Sequence, residues 1–81
     1  MLKKQIMNQL NFASLIIDKP LLNQKSTFQI PAGDYLKTFL SNLEINPGFS
    51  FIILVNGVVN DGDYFVQAED VIHCLPQITG G

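Results

Sequence analysis

A chain of 81 residues with 47% hydrophobic and 15% charged residues is not a disordered segment, and it is too short for two separate cores. Its net charge is −2, with five Lys and no Arg, so the basic footprint of a nucleic-acid binder is absent, as are the bidentate clamps that Arg offers phosphates and carboxylates. One cysteine, Cys74, excludes an internal disulfide and a cysteine-built zinc site. No apolar run approaches the roughly 20 residues of a membrane span. Polar Gln5, Asn8 and Gln9 interrupt the segment after Met1 where a signal-peptide core would lie, so a cytoplasmic protein without membrane or nucleic-acid partners is expected.

Residues 4–13 read as a first strand, with Ile6, Leu10 and Phe12 on one parity and Asn8 interrupting it. Residues 14–25 carry two turn clusters, Asp18-Lys19-Pro20 and Asn23-Gln24-Lys25, around Leu15, Ile16, Ile17, Leu21 and Leu22. They predict an apolar loop, with room for a helical turn, folded over one end of the core. Residues 26–30 form a short second strand with Phe28 and Ile30 on one face. Pro31-Ala32-Gly33 stops it, and Asp34 is placed to cap a helix. Leu36, Phe39, Leu40 and Leu43 then fall at helical spacing and predict an amphipathic helix of about three turns. Asn46-Pro47-Gly48 ends it.

Residues 49–55 predict the strongest strand, turned by Asn56-Gly57, both of which tolerate positive φ. Val58-Val59 begins a short return strand. Asn60 to Asp63 and Gln67 to Asp70 are turns on either side of Tyr64, Phe65 and Val66. Residues 71–75 form the last strand, closed by Pro76. The order strand, strand, helix, strand, short strand, strand predicts an α+β fold of β-grasp topology. A mixed four- to five-stranded sheet would carry one main helix on one face. The domain is expected to span 1–76, with 77–81 as a flexible tail.

Alternation predicts that Phe51, Ile53 and Val55 face the helix, and that Ile52, Leu54, Val71, His73 and Leu75 lie on the opposite face. An open sheet face is usually polar. Four of these five residues are apolar, so the face is either a partner site or is covered by the 14–25 loop or the N-terminal segment. Cys74, on the parity of Ile72, reads as a small core residue. His73 is the sole histidine and reads as a contact on the partner face, because acid–base catalysis needs a second titratable group. Asp61, Asp63, Glu69 and Asp70 are turn residues, too few and too scattered for a calcium loop. No metal site is expected.

The chain ends Pro76-Gln77-Ile78-Thr79-Gly80-Gly81. Two glycines make a tail thin enough for a narrow channel. The residues Phe12-Ala13, Pro31-Ala32-Gly33, Val55-Asn56-Gly57 and Glu69-Asp70-Val71, followed by Leu75 to Gly81, resemble the ubiquitin-like sulfur carrier proteins. Within these the chain is most similar to the molybdopterin synthase small subunits, with the thiamin-pathway carriers next. The pattern departs at Ala68-Glu69-Asp70, where the family has Asp-Gly-Asp, and at Gln77, where it has a second proline.

The resemblance implies a protein co-substrate rather than an enzyme. A ubiquitin-activating-type enzyme would use ATP to adenylate Gly81, and a sulfur donor would convert the acyl group to a thiocarboxylate. The large subunit of molybdopterin synthase, or another sulfur-accepting enzyme, would receive the sulfur. Gly80 would let the tail lie flat, and Pro76, Gln77, Ile78 and Thr79 would be held by the partner as an extended strand. Ile52, Leu54, Val71, His73 and Leu75 would choose the partner. Thiazole synthesis, tRNA thiolation, or a ubiquitin-like modifier or interaction module without sulfur chemistry stand as alternatives.

Overall fold

The computed structural model describes residues 11–77. Its elements are β1 (Phe12–Ile17), β2 (Ser26–Pro31), α1 (Leu36–Ser41), β3 (Phe51–Val55), β4 (Val58–Asn60) and β5 (Val71–Pro76). The strands form one mixed sheet in the order β2-β1-β5-β3-β4. β1 and β5 run parallel at its centre, and the other pairs are antiparallel. The α+β class with a five-stranded mixed sheet and one short helix is therefore present.

One parity of each central strand builds the core. Ala13, Leu15 and Ile17 of β1, Ile72 and Cys74 of β5, and Ile53 and Val55 of β3 are buried together with Ile30, Leu36, Leu21 and Val66. Each fully buried aliphatic side chain contributes about 1.5–3 kcal/mol over its exposed state. Leu15, Ile17, Leu36 and Ile72 have no exposed surface at all. Phe39, Leu40 and Leu43 close over this cluster from the helix side.

The first strand differs from the sequence expectation. It runs over Phe12–Ile17, so it shares only Phe12 and Ala13 with the predicted 4–13 segment, and residues 4–10 lie outside the described residues. Residues 14–17, expected in a loop, are strand. Ala13, Leu15 and Ile17 alternate with Ser14 and Ile16, and β2 and β5 take up both edges of the backbone. The turns begin only at Asp18. The loop that follows is anchored by Leu21, whose side chain enters the core and whose carbonyl accepts from the Asn46 N–H at 2.8 Å.

The helix is shorter than the apolar stripe implies, and its cap is different. α1 is six residues long and starts after Tyr35, which makes no side-chain cap. The Asp34 carboxylate accepts from the adjacent Tyr35 N–H at 2.7 Å and does not reach the first turn. Instead the Leu36 N–H donates to the Tyr64 carbonyl at 2.8 Å and the Lys37 N–H to the Gly62 carbonyl at 3.0 Å. Backbone from a distant loop has taken the work of a capping side chain. At the other end the Ser41 hydroxyl and the Asn42 amide both donate to the Thr38 carbonyl, at 3.0 and 3.1 Å. The Asn42 and Leu43 amides bond back three residues, to Phe39 and Leu40. Such tightened, side-chain-diverted bonding closes a helix. Leu43 and Ile45 still pack on the core from irregular backbone.

The Asn56-Gly57 turn is as expected, with φ of 51° and 85°. It sets Val55 opposite Val58, and so fixes the register of β3 and β4. None of the helices in the described residues is long and apolar enough to cross a membrane.

Candidate functional site

The sheet face opposite the core gathers the predicted partner residues. The register places Ile52 beside Leu75 and Leu54 beside His73, and Val71 beside Ser14 of β1. Val71 is exposed, whereas Ile52, Leu54, His73 and Leu75 are half-buried. The five predicted residues therefore share one continuous patch across the neighbouring strands β3 and β5. Of the 14–25 segment, residues 14–17 are part of the sheet itself and Leu21 turns to the core side, while Asp18 reaches the face at His73; the N-terminal segment lies outside the described residues.

Three neighbours on this face were not foreseen as site residues. Ile16 lies beside His73 on the β1 side, and Val59 lies beside Leu54 on the β4 side. One cross-strand row thus reads Ile16, His73, Leu54, Val59, with 68% of Val59 exposed at its end. Ile16 was legible as the alternate partner of Leu15 and Ile17, once residues 12–17 are read as a strand. Val59 was legible from the hairpin register.

The third neighbour is Asp18. Its Oδ1 lies 2.9 Å from His73 Nε2, and the two side chains are only 30% and 27% exposed. The Asp18 backbone N–H donates to the Cys74 carbonyl at 3.1 Å, which extends the β1–β5 ladder by one rung and holds the carboxylate over the ring. The carboxylate fixes the imidazole against an apolar surround, so His73 Nδ1 is the ring nitrogen left for other contacts. No sequence signal pairs residues 55 positions apart; the parallel β1–β5 register does.

The start of β5 is positioned by a buried polar cluster. Asp70 is 6% exposed. Its carboxylate accepts from Asn56 Nδ2 at 2.8 Å, Tyr64 Oη at 2.6 Å and the Gln67 N–H at 2.8 Å. Asn56 in turn accepts from the Val71 N–H through Oδ1 at 2.9 Å, and its own N–H donates to the Val71 carbonyl at 2.8 Å. Burial alone would raise the Asp70 pKa, but the bonds from Tyr64, Gln67 and Asn56 together bring it below the usual carboxylate range. The same bond to Asp70, with burial and the carboxylate charge, pushes the Tyr64 phenol up to about 12. Asp70 was expected to be a turn residue. It is one, and it also ties the β3–β4 turn to the strand that leads to the tail.

At the other end of β5, Pro76 pairs with Phe51 on the core-side parity, not on the open face. Gln77 is exposed, and its N–H donates to the Ser50 carbonyl at 2.9 Å. Ile78, Thr79, Gly80 and Gly81 lie outside the described residues. Cys74 faces the core with no exposed surface, and burial pushes its thiol up to about 11. Among the described residues no cluster of three His, Cys, Asp or Glu side chains is placed to hold a metal ion. What the arrangement supplies chemically is an apolar face with one oriented polar pair, on the strand β5 that ends at Pro76. No known family model matches the chain, and no curated protein matches it.

Proposed function

We propose that the chain is a β-grasp, ubiquitin-like sulfur carrier of molybdopterin synthesis, with Gly81 as the group-carrying residue. The observation that carries this reading is the ending Leu75-Pro76-Gln77-Ile78-Thr79-Gly80-Gly81, which continues directly from the central strand β5. The strand order supports it. Two hairpins flank a parallel β1–β5 centre, and the chain crosses between them through α1.

The chemistry asks little of the carrier beyond its tail. A carboxylate oxygen is a poor leaving group. An adenylating enzyme would join the Gly81 carboxylate to the AMP part of ATP, releasing pyrophosphate, and a sulfur donor would then displace AMP to leave a thiocarboxylate. Gly81 presents the least hindered acyl carbon, and Gly80 lets the backbone pass a tight channel. Ile52, Leu54, Val71, His73 and Leu75 would form the docking face for the adenylating enzyme and for the sulfur-accepting large subunit. Those residues make an apolar patch of the kind that marks partner sites.

The test is intact mass after incubation with ATP, a sulfur source and an adenylating enzyme of this class. The expected product carries one sulfur in place of one oxygen at Gly81, and a chain extended by one residue beyond Gly81 stays unconverted. Conversion of the extended chain would exclude the reading. Transfer to a thiazole synthase, with none to a molybdopterin synthase large subunit, would move the protein to the thiamin pathway.

A further inference from the structure

The outer edge of β2, which no other described strand pairs, is a surface apart from the open face. β2 is the last strand on its side of the sheet. The Ala32 N–H bonds to the Asn11 carbonyl at 2.8 Å. Bonded and non-bonded pairs alternate along an antiparallel ladder. Stepping back through the register, the backbone groups of Ile30 and Phe28 point to β1, and those of Pro31, Gln29 and Thr27 point outward. Pro31, which has no N–H, falls at an outward position, where a proline takes nothing from the sheet. Thr27 and Gln29 each present an N–H and a C=O beyond the edge, and no other described segment bonds them. Edge strands are commonly guarded by charges, prolines or bulges; here Pro31 guards one end of β2 and Lys25 precedes the other, and Thr27 and Gln29 lie between them. Ser26–Pro31 carries no charged residue, and its register with β1 runs without a break.

Beside this edge, between β2 and α1, lies a groove of about 240 Å³ lined by residues 28–31 of β2 together with Leu15, Phe39, Asn42 and Leu43. It opens on the sheet side to which Phe28 and Ile30 point. Alternate side chains of a strand added to β2 would project into it.

We propose that the β2 edge and this groove bind an extended peptide segment of a protein partner as a sixth strand. The two-residue repeat of outward donors and acceptors at Thr27 and Gln29 matches an extended backbone and no helix. The groove selects aliphatic side chains at alternate positions, and the exposed Thr27 and Gln29 side chains select polar residues between them. Lys25, the sole charge in residues 23–33, stands at the start of β2. For a peptide added antiparallel to β2, it favours an acidic residue at the peptide's C-terminal end.

The test uses the full chain, isotope-labelled, and a synthetic peptide alternating valine and threonine that ends in two aspartates. The expected result is saturable binding with amide exchange at Thr27 and Gln29 slowed by about tenfold or more. Replacing Gln29 by proline removes one outward N–H and leaves the β1 ladder intact. That variant, Gln29→Pro, should bind about tenfold more weakly, with exchange protection of β1 unchanged. No binding at millimolar peptide would overturn the proposal, as would shifts confined to Leu54, His73 and Leu75. Protection of Thr27 and Gln29 in the free protein would overturn it too, because the edge would then already be occupied by this chain or a second copy.

Discussion

Asp70 shows how one buried carboxylate can hold three segments together. Its partners Asn56, Tyr64 and Gln67 come from a hairpin turn and from the loop before β5. Asp70→Ala would leave these donors facing apolar surroundings. A loss of about 2–4 kcal/mol is expected, read as a lower urea midpoint at unchanged slope. Because hydrogen bonding depresses the folded-state pKa, the Asp70 carboxylate stabilises the fold above the unfolded value of about 4, and that stabilisation is lost as the pH falls through the folded value. Tyr64 behaves in the opposite sense. Its folded pKa is raised to about 12, so its contribution is complete below the unfolded value of about 10 and is lost as the pH rises through the folded one. Urea melts across the acid range and a phenol absorbance titration check both. In Asp70→Asn the acid dependence should shrink and the Tyr64 titration should move back down. Cys74 gives a third check at this scale. A buried thiol raised to about 11 should react with a thiol reagent at neutral pH only as fast as the chain opens, and at once in urea.

At the scale of elements, β1 and α1 depend most on what surrounds them. A six-residue helix is far below the length that is stable alone in water. α1 persists because Leu36 is buried and the Tyr64 and Gly62 carbonyls receive its first amides. β1 is central, and Leu15→Ala should cost about 2–5 kcal/mol by the cavity it leaves in a site with no exposed surface. At the β3–β4 turn, Gly57 holds φ of 85° with nothing within 4 Å of an added Cβ. Gly57→Val should therefore cost about 1–2 kcal/mol from backbone strain alone. Thermal or urea midpoints of both variants decide these figures. The hairpin, β3, β5 and the apolar stripe were legible in the sequence, because Asn-Gly and strict alternation are local signals. The start of β1 was not. Its hydrophobic alternation over Ala13, Leu15 and Ile17 is short and runs into the Asp18-Lys19-Pro20 turn, while the looser pattern upstream competes with it.

For the whole molecule, the sheet order sets the first and last strands side by side and parallel, so the two ends of the described chain lie at opposite ends of the sheet, and among the described residues one face is left apolar. Under the proposed function, Leu54→Asp should slow loading of Gly81 by the adenylating enzyme about tenfold or more, because a charge placed in a desolvated contact opposes docking. The unfolding free energy from urea melts should change by less than about 1 kcal/mol, since Leu54 is outside the core. A loading assay paired with a urea melt separates loss of docking from loss of fold. Equal loading by wild type and variant would show that the open face is not the docking surface.

By itself the sequence determined the secondary-structure order from β2 onward, the inward parity of β3 and β5, and the Gly-Gly ending. Each of these is written in neighbouring residues, through turn chemistry and through periods of two and about 3.6. Only the tertiary structure decided that residues 14–17 belong to the sheet, that α1 is capped by backbone from residues 62 and 64, that Asp18 meets His73, and that no other described strand pairs the outer edge of β2. The reason is the parallel β1–β5 pairing. Parallel neighbours are joined by a long crossover and never by a tight turn, so nothing local records which residues will stand side by side across it.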